Sequence, residues 1–270
     1  MITTIQYPDG DVLDLEYKDD GHSYKVLTAG IHQGKVNGVT TALKVIAKDG
    51  LIPWAAKMVT TYIEENCKVD EGVYFVSPAD LKKAKVAHST HRDARADQGT
   101  QLHDLIEQHI RGAEPEVPEP LQGRYEAFLR WEAVNEPEYL LDLVEKPVFS
   151  RQHGYAGKPD IPLFLNNRYG ILDLKSGKPD AEYNPRKHEY TGRYRAYAEH
   201  FYQCAAYDIA LEEEHSRPAE FYAVVYLDHL ESNDGAWFMT NNVQYFRESW
   251  LHTWKLYTAR KVLNKENAYE

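Results

Sequence analysis

Two aspartates and a lysine stand among aliphatic residues in GKPDIPLFLNNRYGILDLKSGK, residues 157–178. Carboxylates and an ammonium are the groups that hold a divalent cation and steady a reacting phosphate, so Asp160, Asp173 and Lys175 are the first candidates for chemistry. The spacing predicts a hairpin. DIPLFL and YGILDLK read as two strands joined at Asn166 and Asn167, because asparagine tolerates the left-handed backbone of a two-residue turn. That turn sets Leu165 opposite Arg168 and Asp160 opposite Asp173. Period-two alternation then places Ile161, Leu163, Leu165, Leu172 and Leu174 on one face and Asp160, Phe164, Ile171, Asp173 and Lys175 on the other. The expectation is one core face and one charged face. Opposed carboxylates repel unless a cation lies between them. Oxygen ligands suit Mg²⁺ or Mn²⁺, whereas zinc favours His and Cys. A salt-bridged strand pair is the competing reading. Pro159 and Pro162 lack ladder donors, which predicts an edge or bulged first strand and a register open to a one-residue slip.

GKPD, then DLK with its aspartate thirteen residues after the first, resembles the PD-(D/E)xK nuclease superfamily. Upstream, GTQLHDLIE at residues 99–107 resembles the Gly-Thr-x-x-His motif of the RecB-like exonuclease branch, which includes phage exonucleases and the mitochondrial genome maintenance exonuclease. Downstream, Gln203 and Tyr207 in QCAAY resemble that branch's Gln-x-x-x-Tyr motif. The VNGVTTALKVIAKDGLIPWAAK segment is also similar to the N-terminal region of phage members. The resemblance implies a restriction-endonuclease-like α/β core, a central mixed sheet flanked by helices, preceded by a partly helical N-terminal region. It implies Mg²⁺-dependent DNA hydrolysis, with Mn²⁺ substituting: His103, Asp160 and Asp173 on the metal, Lys175 assisting a water, and Gln203 and Tyr207 positioning the strand. An exonuclease preferring single-stranded or end-containing DNA is the expected activity. Such an enzyme serves recombination, repair or processing in a phage or bacterium, beside separate recombination or helicase proteins. An endonuclease of the same fold and a non-catalytic DNA-binding accessory protein are the alternatives. Relatives that carry an iron-sulphur cluster need four cysteines, and this chain has two, so no cluster is expected.

Each added motif has its own physical reading. Gly99 and Thr100 are expected to open a helix, with Thr100 as cap, His103 in the first turn and Glu107 one turn later on the same face. Gln203 and Tyr207 share a helix face and are expected to contact phosphate or stack on a base. Glu145 is either a further acidic ligand or an exposed residue at a strand start. HSTH, at residues 88–91, is expected to lie at the surface.

The elements that position these residues follow from pattern. Residues 1–36 read as short strands and turns, and VTTALKVIA and IPWAAKMVTTYIEEN as helical, with Pro53 in a first turn. A helical block follows over about 79–111, a Pro-rich loop from Gly112, and a helix over about 121–135. LVEKPVFS, EFYAVVYLDH and GAWFMTN read as further strands, a helix is expected over about 191–213, and VQYFRESWLHTWKLYTARKVLN as a closing amphipathic helix. One domain over 1–270 is expected, with an N-terminal region to residue 98 and the nuclease core from 99.

The net charge of −11 argues against indiscriminate nucleic-acid binding. Locally, however, Lys178, Arg186, Lys187 and Arg193 make a basic stretch, which reads either as a solvated loop or as a segment that grips backbone phosphates. No apolar run reaches the roughly 18 residues of a membrane span, and the start MITTIQYPDGD lacks the features of a signal peptide. No membrane partner is expected, and the location is expected to be cytoplasmic, the host cytoplasm if phage-encoded. Cys67 and Cys204 are expected to be free thiols.

Overall fold

Asn166 and Asn167 adopt φ of 50° and 62°. This left-handed pair closes the expected hairpin in the expected register: Leu165 faces Arg168 and Ile161 faces Leu172. The computed structural model describes residues 1–270 apart from 31, 47–50, 185–188, 228–235 and 267–270, and apart from the side chains of 182–184, 189–192 and 264–266.

The chain runs through β1 (Ile2–Gln6), β2 (Val12–Lys18), β3 (Ser23–Val26), β4 (Gly34–Gly38) and a one-turn α1 (Val39–Ala42). After α2 (Leu51–Asn66) come β5 (Lys68–Asp70), β6 (Val73–Phe75), α3 (Pro78–Ile110) and α4 (Glu119–Asn135). The strands β7 (Glu138–Tyr139), β8 (Val148–Ser150), β9 (Tyr155–Gly157), β10 (Ile161–Leu165) and β11 (Arg168–Lys175) carry the hairpin. Then follow β12 (Asp180–Asn184), β13 (Glu189–Arg195), α5 (Ala198–His215), β14 (Phe221–Tyr226), β15 (Ala236–Thr240) and α6 (Val243–Glu266). The protein is thus α/β with mixed sheets. Two expectations need correction. Residues 189–195 form a strand paired with β12 rather than the start of a helix, which begins at Ala198. LVEKPVFS is extended only from Val148, because Glu145 takes a left-handed φ of 53°.

Two compact units result: Met1–Ile46 with Leu102–Glu270, and Ala47–Gln101. The division therefore differs from the one expected at residues 98 and 99. The first 46 residues fold with the C-terminal part because β4 pairs in parallel with β9, Asn37 beside Tyr155 and Gly38 beside Ala156.

The larger unit has a sheet in the order β1-β2-β3-β4-β9-β8 and a second in the order β15-β14-β11-β10-β7. In the second, β11 and β14 run parallel and the remaining pairs antiparallel. β10 is flanked on both sides, so it is not an edge, and its register has not slipped. Pro162 faces Ile171 and its carbonyl accepts the Leu140 N–H. The expected apolar face, Ile161, Leu163, Leu165, Leu172 and Leu174, packs with Leu102, Ile106, Phe128 and Trp131 from α3 and α4. The opposite face is also core over much of its length. Tyr169, Ile171, Tyr222 and Val224 pack with Phe201, Ala205 and Ile209 of α5 and Trp250 of α6. The charged residues occupy only one end of that face, so a small polar site is enclosed by packing on both sides.

The smaller unit contains α2, the β5–β6 hairpin and α3 as far as Gln101. His88 and His91, expected at the surface, turn their rings edge-on to Trp54 at 6.4 and 6.0 Å. Among the described residues no helix is long and apolar enough to cross a membrane.

Candidate metal centre

Asp160 directly precedes β10, and its Oδ2 accepts the Leu174 N–H at 2.7 Å. This bond ties the first aspartate to β11 at the hairpin's open end. Asp173 lies in the interior of β11 and is 1% exposed. Neither of its carboxylate oxygens has a hydrogen-bond partner. Lys175 Nζ stands 2.6 Å from Asp173 Oδ2 as an ion pair, outside hydrogen-bond geometry. A buried carboxylate without hydrogen bonds is costly. Burial pushes the Asp173 pKa up; Lys175 opposes this and Asp160 adds to it, leaving it at about 7.

His103 reaches the same place from α3. The helix does not begin at Gly99: it continues through Gly99 and Thr100, and Thr100 Oγ1 donates to Ala96 O at 3.2 Å instead of capping. His103 Nδ1 lies 3.5 Å from Glu145 Oε1 and 3.7 Å from Asp160 Oδ1. Burial alone depresses the His103 pKa, but the Asp160 and Glu145 carboxylates outweigh burial and raise it to about 9.

Glu145 is neither exposed nor at a strand start. Its N–H is shared between the carbonyls of Pro159 and Asp160, each at 3.1 Å. The loop before it is held by Arg111 Nη1 and Nη2, which donate to Leu141 O and Val144 O at 3.2 and 3.1 Å. Glu107, expected on the His103 face, accepts from Arg111 Nε at 2.9 Å and so steadies that clamp. One ligand atom from each of His103, Glu145 and Asp160 lies within 4.8 Å of the others. Asp173, expected in the ligand set, is outside this trio and faces Lys175 instead.

Lys175 Nζ also donates to Gln203 Oε1 at 3.4 Å, and Gln203 Nε2 donates to Tyr207 OH at 2.9 Å. The expected shared face of Gln203 and Tyr207 is present, with Gln203 bonded to the Tyr207 hydroxyl and Tyr207 buried. Its ring is 4% exposed and packs on Gly157, where an added Cβ would meet Tyr207 Cε1 at 2.4 Å. Tyr207 braces Gln203, and Gln203 braces the lysine. Lys178 and Arg193 are exposed, in the loop after β11 and on β13. Arg186 and Lys187 lie outside the described residues.

Lys158 is the residue that sequence reasoning missed. Its Nζ lies 2.6 Å from Glu145 Oε2 and 5.5 Å from the centroid of the Tyr17 ring. The available signal was its place in GKPD, two residues before Asp160 in the short connection between β9 and β10.

The imidazole and two carboxylates brought together fit a hard divalent cation, and beside them Asp173 Oδ1 is buried with neither a hydrogen bond nor an ion pair. An ammonium held beside those carboxylates can stabilise charge developing on a phosphate. No protein-family model matches the chain, and no curated protein matches it at significance.

Proposed function

We propose that this chain is a metal-dependent nuclease of the PD-(D/E)xK superfamily, RecB-like branch, hydrolysing phosphodiester bonds in DNA. The observation that carries the reading is the Asp173 carboxylate, buried without a hydrogen bond beside His103, Glu145, Asp160 and Lys175. The β10–β11 hairpin bearing both aspartates, with β14 parallel beside it and α5 against one face, supports the superfamily core. His103, Glu145, Asp160 and Asp173 hold Mg²⁺ or Mn²⁺, which when bound supplies a Lewis acid and a water of lowered pKa. Lys175 keeps its ammonium at the carboxylates, where it stabilises charge on the phosphate oxygens and orients the attacking water. Gln203, fixed by Tyr207, sets the position of that ammonium. Exposed Lys178 and Arg193 supply cations for backbone phosphates.

An exonuclease acting on free ends, serving DNA repair or recombination in the cytoplasm, is the form of this activity that the sequence motifs favour. The unpaired Cys67 and Cys204 are consistent with a reducing compartment. End-labelled linear and circular single-stranded DNA, each with Mg²⁺ and with EDTA, test both levels of the reading. Mg²⁺-dependent loss of the linear form with survival of the circle is expected. Nicking of circles at a comparable rate replaces the exonuclease with an endonuclease, and no cleavage of either form removes the nuclease reading.

A further inference from the structure

A cleft of about 510 Å³ is lined by His22, Ser23, Lys35, Asn37, Thr41 and Lys261, with no carboxylate among its described lining residues. In a chain of net charge −11 this is an unusual local composition. Lys261 Nζ donates to Asn37 Oδ1 at 2.6 Å, and the same oxygen accepts from Tyr257 OH at 2.9 Å. Asn37 is in turn fixed by the pairing of β4 with β9. The ammonium is therefore held at the cleft wall. Lys35 lies two residues before Asn37 on the same strand face and stands directly opposite Lys25 on β3. Glu16 on β2 stands opposite Lys25 and lies 4.0 Å from Lys18 Nζ, so its carboxylate is shared among several cations. Two directly opposed cations are destabilising without an anion between or beside them.

The cleft is linked to the metal centre through named contacts. His22 Nδ1 is 2.8 Å from Tyr17 OH, the Tyr17 ring lies against Lys158, and Lys158 pairs with Glu145.

We propose that this cleft is a second phosphate subsite, which takes the sugar-phosphate backbone of the strand whose scissile bond lies at the carboxylates. The proposal rests on the nuclease reading. Lys35 and Lys261 pair with phosphodiester oxygens, while Ser23, Thr41 and His22 offer hydrogen bonds. None of these contacts reads a base, so binding here is independent of sequence.

Fluorescence anisotropy of a labelled oligothymidylate, in EDTA and across a salt series, tests it on the full chain. The double variant Lys35→Ala/Lys261→Ala is compared with Lys68→Ala/Lys255→Ala, which removes the same charge from exposed positions outside the cleft. The cleft variant is expected to bind roughly tenfold more weakly, with a slope of log Kd against log salt flatter by about 1.4, since each phosphate contact on a single strand contributes about 0.7. Lys35→Arg/Lys261→Arg is expected to restore both values. Equal losses in the two alanine variants, no loss in either, or a wild-type chain that does not bind overturns the proposal. Millimolar inorganic phosphate is expected to leave the oligonucleotide bound; full displacement by it points to a site for the free anion and also overturns the proposal. Because metal is absent throughout, a chain that binds here and fails to cleave in Mg²⁺ sinks the nuclease reading and leaves this result separate.

Discussion

Asp173 sets the behaviour of the site at the scale of single residues. Its raised pKa means that the ionised form is worse off in the fold than in the unfolded chain. In metal-free protein its contribution to stability is complete below the unfolded value of about 3.9 and is lost as pH rises through about 7. Asp173→Asn should therefore raise the melting temperature at neutral pH in EDTA by roughly 2–4 °C per kcal/mol recovered. The same change should abolish cleavage and weaken Mn²⁺ binding in calorimetry. A lower melting temperature would favour a structural ion pair with Lys175. Lys175→Ala, by contrast, should abolish cleavage and leave Mn²⁺ binding mostly intact, because an ammonium is not a ligand; equal metal loss in both variants contradicts these roles. Asp160, Asp173 and Lys175 were legible because strand alternation is a local rule. Glu145 was not, because a left-handed loop residue obeys no period and reaches the site only through bonds to Pro159 and Asp160. The burial of Tyr207 was hidden for a related reason: it depends on a glycine fifty residues earlier in the chain.

Among the elements, β9 has little room to change. An alanine Cβ at Gly157 would lie 2.4 and 2.8 Å from Tyr207 ring carbons and 3.1 Å from Val39 Cγ2. Gly157→Ala should cost about 1–3 kcal/mol, as overpacked cores do, read from urea unfolding. It should also slow cleavage more than it weakens Mn²⁺ binding, because the displaced ring moves Gln203 and the Lys175 ammonium rather than the ligand trio. Equal losses of cleavage and metal binding would show that the whole site had shifted. The hairpin was legible from two asparagines between alternating runs. The true start of α5 was not: after Gly192 no breaker separates RYRAY from AEHFYQC, and it is pairing with β12 that makes residues 189–195 a strand.

For the whole molecule, the two units differ in how much they bury. Ala84 is the one fully buried residue among those described in 47–101, whereas the larger unit holds three apolar clusters. Amides of the smaller unit should therefore exchange with solvent well before those of β10, β11, β14 and α5 in hydrogen-exchange mass spectrometry. Simultaneous exchange would mean that the chain opens as one cooperative body. The mixed α/β class was readable from alternating patterns, but the union of residues 1–46 with the distant C-terminal part was not, since no local pattern announces which strand β4 will adjoin. That union governs how the protein is made. During synthesis Asn37 leaves the ribosome long before Tyr155, a delay on the order of ten seconds at ordinary elongation rates. Throughout that interval the edge of β4 stands open to wrong partners, so yield in the cell will depend on translation speed and chaperones more than on final stability.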